Sequence, residues 1–508
     1  MRRHALLRSS ALLFALLTAG IAAPAQEFSQ DPSRPNILWI IVEDMSANFG
    51  CYGEKTIATP HVDRLAAEGI RFTNAIVTAP VCSASRSALI TGRYQTAIGA
   101  HHHRSGRGKQ KIVLPDGVQT VPELLRAAGY LCLNLDAADF LRDADQSAAN
   151  PRVATAKTDY NFEWDASLYG STHWTRREEN QPFFIQVQLH GGKYRGHGSG
   201  GQWPSRVRRE LGAATPEENV VLPPYLPNEA VLIRDWAQYL DTVRYTDHEV
   251  GLILERLREA GELERTCVFF ITDHGVSHVR NKQFCYEGGV HIPLIVRGPG
   301  LPAGAVRQDP VEHIDLAAAS LALAGLPIPT GMHGRNILDA GYQPREFSFS
   351  ARDRCDETVD RIRCVRSERF KYIRNFYPDR PYLQPNQYKD AKPIVQTMRA
   401  LHKAQRLNAA QSLIMADSRP EEELYDLEAD PFELNNLAAG AGHADQLDRM
   451  RRALEEWIAT SPDLGREPEP ESLYDSDMEV YLGRRGTPAY LSLSENIALM
   501  KRWAAEGK

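Results

Sequence analysis

The chain predicts an α/β protein: a mostly parallel central sheet covered by helices on both faces, followed by a smaller α+β C-terminal subdomain. Three observations point there. Residues 36–42 (Asn-Ile-Leu-Trp-Ile-Ile-Val) form a near-continuous apolar run, as a strand buried on both faces requires. Similar runs alternate along the chain with segments of helical character, the pattern of a parallel sheet with helical crossovers. From Arg345 to Arg380 the sequence turns basic and polar, which marks a second unit.

Taken in order, the first strand ends in Glu43-Asp44. Helices are expected over 61–69, from 85 to 91, and over 121–128 up to Gly129. A strand at 183–189 precedes a long helical region, 229–261, with Gly251 inside it. The apolar strand 268–271 runs into Thr272-Asp273-His274-Gly275, a strand at 294–296 follows, and then a helix over 314–324. Beyond the change of character, 369–373 alternates as a strand and 445–460 reads as a final helix. From Pro462 the chain is Glu/Pro-rich and is expected to wrap the surface. Open parallel sheets bind ligands beyond the carboxyl ends of their strands. Glu43-Asp44 and Asp273-His274 are thus expected on one rim.

Arg2, Arg3 and Arg8 flank the apolar run 11–22, and Ala23-Pro24-Ala25 offers a cleavage site, so residues 1–25 read as a secretory signal peptide. The run is too short for a membrane span. An exported, periplasmic or secreted protein without a membrane anchor is expected. Removing those arginines takes the formal charge from −6 to −9. A mildly acidic chain excludes bulk binding to nucleic acid, and affinity for an anionic glycan would need a local basic site. The expected division is 34–340 for a catalytic domain, 341–465 for the C-terminal subdomain and 466–508 for a tail. Seven cysteines occur, and in an exported chain they permit disulfides without naming a pairing.

Cys82-Ser83-Ala84-Ser85-Arg86 leads into a helix and on to Thr91-Gly92-Arg93. A helix N-terminus presents unpaired N–H groups to an oxyanion, and Arg86 adds a permanent charge. Carboxylates at Glu43, Asp44 and Asp273 suit a hard cation, with the His274 imidazole an unusual companion for calcium. His101-His102-His103-Arg104 reads either as a solvated loop or as a clamp for an anionic sugar group, since three adjacent histidines rarely converge on one ion.

The Cys82 segment resembles the Cys-x-Pro-Ser-Arg signature of type I sulfatases, of the alkaline-phosphatase-like superfamily, with Ala84 in the proline position. The 273–294 segment, containing Lys282, and Glu422-Glu423-Leu424-Tyr425-Asp426-Leu427 with Asp430-Pro431-Phe432-Glu433 resemble two further family motifs. The resemblance implies that Cys82 is converted to formylglycine by a formylglycine-generating or anaerobic sulfatase-maturating enzyme. It also implies a divalent metal, calcium first and magnesium as the alternative, on Glu43, Asp44, Asp273, His274 and the converted Cys82. Catalytic roles fall on Cys82, Arg86, Lys157 and Lys282. The family's leaving-group acid aligns with Lys193, with His190 three residues earlier, and the sequence leaves the two open. His103, Arg104, Arg352 and Arg354 are the expected substrate contacts. Residues 221–228 resemble heparan N-sulfatases and bacterial glycan sulfatases, which implies a sulfated polysaccharide of glycosaminoglycan type, as an ester or a sulfamate. Two rival readings are a phosphonate or phosphodiester hydrolase of the same superfamily and a non-catalytic binder of sulfated glycan in which Cys82 stays a thiol.

Overall fold

A computed structural model describes residues 34–143, 155–170, 172–195, 202–483 and 488–507. The expected signal peptide lies outside the described residues. Seven strands make the main sheet: β1 (Asn36–Val42), β2 (Ile70–Phe72), β4 (Leu131–Asp136), β5 (Phe183–Leu189), β6 (Thr266–Thr272), β7 (Leu294–Arg297) and β8 (Ala305–Arg307), in the order β4-β5-β1-β6-β7-β2-β8. The strands β4, β5, β1 and β6 run parallel, β7 is antiparallel to both its neighbours, and β8 is parallel to β2. A short pair, β3 (Ala75–Ile76) and β9 (Val311–Glu312), lies apart.

The central strand shows why its sequence carries no polar face. Leu38, Ile40 and Val42 enter one core, against Leu240, Val243 and Val250 of the helix Ala230–Glu259. Ile37, Trp39 and Ile41 enter the other, against helices Cys82–Thr91, Val121–Ala127 and Asp315–Leu323. Alternate side chains point to opposite faces, and both faces are covered. Trp39 donates from Nε1 to Ser320 Oγ at 3.0 Å, which satisfies the one polar atom of that side chain.

The second sheet is antiparallel, β10 (Ser348–Arg352), β11 (Ile362–Arg366), β12 (Phe370–Asn375) and β13 (Glu422–Asp426), paired in sequence order. Helix Ala444–Thr460 covers it through Leu447, Met450, Leu454 and Trp457. The tail forms two helices, Glu471–Leu482 and Pro488–Ala505, joined through Tyr474, Met478, Leu493 and Met500. Those apolar positions recur at helical spacing, which outweighs the Glu/Pro-rich entry at 467–471. All seven cysteines are free thiols, and six are buried.

The helix Ala230–Glu259 is tied to Pro60–Ala67 at one polar point. Asp247 Oδ1 accepts the Val62 N–H at 2.8 Å, and a Cβ on Gly251 would fall 2.6 Å from the His61 ring. Burial pushes the Asp247 carboxyl up to about 7 against the backbone hydrogen bonds that favour its anion. The folded state therefore keeps a proton that the unfolded chain loses above the usual carboxylate range, and stability falls as pH rises through that window to about 7. Asp247→Asn keeps an Oδ1 acceptor and removes the titration. Its melting midpoint is expected to exceed that of the parent at about pH 8 and to lose this advantage near pH 4, read by thermal denaturation at both pH values.

Candidate active site

Three parallel strands end together and aim their following residues at one point. Val42 pairs with Leu189 on one side and Thr272 on the other. The chain then turns: Glu43 N–H donates to Leu189 O at 3.0 Å, Asp273 N–H to Val42 O at 2.9 Å, and Asp44 N–H to Asp273 Oδ1 at 3.0 Å. Asp44 makes the turn at φ +51°, a left-handed conformation that non-glycine residues seldom hold. Five of the eight non-glycine residues with positive φ among the described residues stand at this site: Asp44, Arg104, Asp159, Gln283 and Asp356. Backbone strain of this kind concentrates where geometry is set for function.

The helix Cys82–Thr91 brings the nucleophile position in from the other layer. All ten of its residues are buried, and no side chain caps its first turn. Ser85 Oγ donates to Asp273 O at 2.6 Å, and Ser83 Oγ accepts the Arg104 N–H at 2.8 Å. Cys82 Sγ lies 3.0 Å from His274 Nε2, 3.7 Å from Asp44 Oδ1 and 3.2 Å from Lys282 Nζ. Arg86 donates from Nε to Asp273 Oδ2 at 3.1 Å and from Nη1 to Gln188 Oε1 at 2.7 Å. Its buried Nη2 has no hydrogen-bond partner among the described residues. A guanidinium nitrogen left so in a desolvated site is poised for an anion.

Asp44, Cys82, Asp273 and His274 each place a ligand atom within 4.8 Å of the others. His274 Nδ1 sits 2.8 Å from Gly275 O. A carbonyl only accepts, so Nδ1 carries the proton and the Nε2 lone pair faces the group. Two carboxylates and an imidazole lone pair fit a divalent cation. Glu43 does not join them: its Oε2 is taken by Lys157 Nζ at 2.7 Å and by Lys193 Nζ.

Burial alone would push the Cys82 thiol up, but Lys157, Lys193 and Lys282 hold it well below the ordinary thiol range. The same position stabilises any developing anion. Asp44 is likewise held low, with Lys282 at 2.9 Å the chief cation opposing its desolvation. Lys282 is set by the loop after Asp273, whose Arg280 donates to Phe432 O at 2.5 Å and Glu433 O at 2.6 Å. Glu433 Oε2 accepts the Glu287 N–H at 2.7 Å, and Lys371 bridges Glu287 and Glu433 at 2.7 and 2.9 Å. The Asp430-Pro431-Phe432-Glu433 segment thus braces the Lys282 loop from the second sheet.

Of the other expected residues, Lys193 enters the site, 4.0 Å from Cys82 Sγ, whereas His190 is exposed with its ring against Tyr194. His103 is buried beside Cys82 and Asp159. Arg104 is exposed and lines a cleft of about 1120 Å³ above the site. Arg352 and Arg354 are not brought to that cleft. Arg352 is buried against Asp360, and Arg354, fully buried, donates to Glu469 at 2.6 and 2.8 Å and to Asp477 at 2.7 Å. Sequence reasoning missed Asp159, Gln188 and Tyr481. Gln186 and Gln188 are the only polar positions in Phe-Phe-Ile-Gln-Val-Gln-Leu, and that irregularity in a buried strand was the available signal for Gln188.

A desolvated nucleophile position inside a ring of cations, beside donors for a divalent metal, defines a hydrolase of anionic esters. The sulfatase family profile matches residues 35–326, and that of the N-sulphoglucosamine sulphohydrolase C-terminal region matches 274–391. The chain is 34% identical to an ulvan-active sulfatase of Formosa agariphila, over 87% of this chain and 77% of that protein. It is 26% identical to the N-sulphoglucosamine sulphohydrolase of Homo sapiens, over 84% and 90%. A solved structure, bound to its substrate D-glucosamine-2-N,6-O-disulfate, superposes with a TM-score of 0.56 at 20% identity over 85% and 99%. The chain belongs to the sulfatase family and is a sulfuric ester hydrolase.

The turn 191–195 lies flat on the acidic pair, where a Cβ on Gly192 would fall 2.1 Å from Asp44 O. Gly192→Ala must push the lysine-bearing turn off Asp44. Activity is expected to fall about 100-fold, as ångström-scale misplacement does, with the far-UV circular dichroism retained.

Proposed function

We propose that this protein is an exported sulfatase that removes sulfate from a sulfated polysaccharide of glycosaminoglycan type, as an ester or a sulfamate. The reading is carried by one observation: Cys82 Sγ sits where a metal-type donor group, Lys282, Lys193 and Arg86 converge. Maturation of Cys82 to formylglycine would supply a hydrated aldehyde oxygen as nucleophile, and a calcium ion on Asp44, Asp273 and His274, with magnesium as the alternative, would supply Lewis acidity. The chain's own residues do the rest. Arg86 Nη2 takes a sulfate oxygen, Lys282 and Lys193 offset the repulsion between anion and nucleophile, and burial removes the water that would screen them. Residues 34–340 act as the catalytic unit, 341–465 as its brace and 466–508 as a wall of the cleft.

The substrate class is supported by the names of the relatives and by the cleft. Its volume of about 1120 Å³ exceeds that of an ordinary small-molecule pocket. Arg104, Arg234 and Lys392 line it together with Ile394, Tyr481 and Leu493. Cations for anionic substituents and apolar surface for sugar faces suit a saccharide longer than one unit. No helix among the described residues is long and apolar enough to cross a membrane.

Protein purified from its native host is expected to yield a Cys82 peptide at the mass of formylglycine and to release sulfate from ulvan or heparan oligosaccharides. Cys82→Ala abolishes release, and a chelator suppresses it until calcium is returned. An alkylatable Cys82 throughout the population would favour the binding-protein reading. Faster turnover of a phosphonate monoester than of any sulfated sugar would favour the phosphonate hydrolase.

A further inference from the structure

One imidazole in the site is held unlike the other ionisable groups around Cys82. His103 is buried, and its backbone N–H donates to Arg354 O at 2.8 Å. Its Nδ1 lies 3.0 Å from Asp356 Oδ1, and the same oxygen accepts the Tyr481 hydroxyl at 2.9 Å. Asp356 stands at φ +54°, so a strained backbone presents this carboxylate. An ionised carboxylate only accepts, which places a proton on Nδ1. Nε2 is buried and has no hydrogen-bond partner among the described residues. A ring nitrogen of His103 lies within 4.8 Å of Cys82 Sγ and of an Asp159 carboxylate oxygen. With Nδ1 taken by Asp356, the nitrogen open to that side is Nε2.

The competing groups are committed elsewhere. Lys157 and Lys193 are both paired to Glu43, Lys282 to Asp44 and Arg86 to Asp273. Each would leave a buried carboxylate without a cation on losing its proton. His190 is exposed and turned to Tyr194. A sugar alkoxide leaves poorly unless it is protonated as it departs.

We propose that His103 hydrogen-bonds and protonates the bridging oxygen of the departing sugar, with Asp356 and Tyr481 as positioning residues, so that the C-terminal helix Glu471–Leu482 is a working part of the active site. The inference rests on the sulfatase reading above. As an S–O bond forms to the nucleophile at position 82, the S–O bond to the sugar breaks and its electron pair stays on the sugar oxygen. The Nε2 proton passes to that oxygen, the sugar leaves as an alcohol, and the imidazole is left neutral on Asp356 until water returns the proton.

The test uses full-length matured protein as parent, His103→Ala, His103→Gln, Asp356→Asn and Tyr481→Phe. Each is assayed on 4-nitrophenyl sulfate, whose leaving group needs no proton, and on ulvan and heparan oligosaccharides. In both His103 variants the ratio of kcat on the sugar sulfate to kcat on the aryl sulfate is expected to fall about 100-fold. It falls in the same direction, and less, in Tyr481→Phe. A downfield Nδ1–H proton resonance is expected in the parent and lost in His103→Ala and Asp356→Asn. Equal losses on both substrate classes, or a resonance untouched by Asp356→Asn, would overturn the assignment. A parent that releases sulfate from neither class refutes the sulfatase reading instead, and the resonance still decides the His103–Asp356 pairing.

Discussion

Several carboxylates, Lys282 and Arg86 are buried around a single sulfur, with Lys157 and Lys193 half-buried beside them, and such a cluster persists only if opposite charges alternate in space. The backbone enforces that alternation. Parallel pairing of β1 with β6 puts Val42 opposite Thr272, so the two acidic turns leave the sheet side by side. Each carboxylate then meets a cation from a different part of the chain: Asp44 meets Lys282, Asp273 meets Arg86, and Glu43 meets Lys157 and Lys193. The low-lying Cys82 thiol follows from the same arrangement, because the cations that balance the acids also surround the sulfur.

The second sheet supplies part of that constraint. Lys371 on β12 and Arg366 on β11 both reach Glu287, and Glu433 closes the bracket from beyond β13. The loop carrying Lys282 is thereby held between two sheets, which explains why motifs some 150 residues apart in the sequence belong to one site. A lysine on a free loop would lose rotamer entropy each time it met an anion; here that ordering is already made by folding.

Much of this was legible in the sequence, for identifiable reasons. Strands β1, β5 and β6 are buried on both faces, so their residues could only be apolar, and the acids that follow them stand out. The short strands β2, β3, β8 and β9 carry two or three residues each and exist by virtue of their partners. Strand β4 was hidden by Cys132 and Asn134, the latter polar because it receives Gln188. Charged residues at 352 and 354 look alike in sequence whether they face substrate or a buried acid. Partners at 360, 469 and 477 decide that, and only folding brings them close. The His103–Asp356 pair spans 253 residues and left no local mark.

Arg354 gives the end of the chain an unexpected weight. It is fully buried, and both of its carboxylate partners, Glu469 and Asp477, belong to the last forty residues. A chain cut short before them would leave a guanidinium stranded in the interior, at a cost of about 3–5 kcal/mol. The residue stranded would be the neighbour of His103 and Asp356. The corner of the site that holds His103 and Asp356 is thus anchored by residues more than a hundred positions further along the chain.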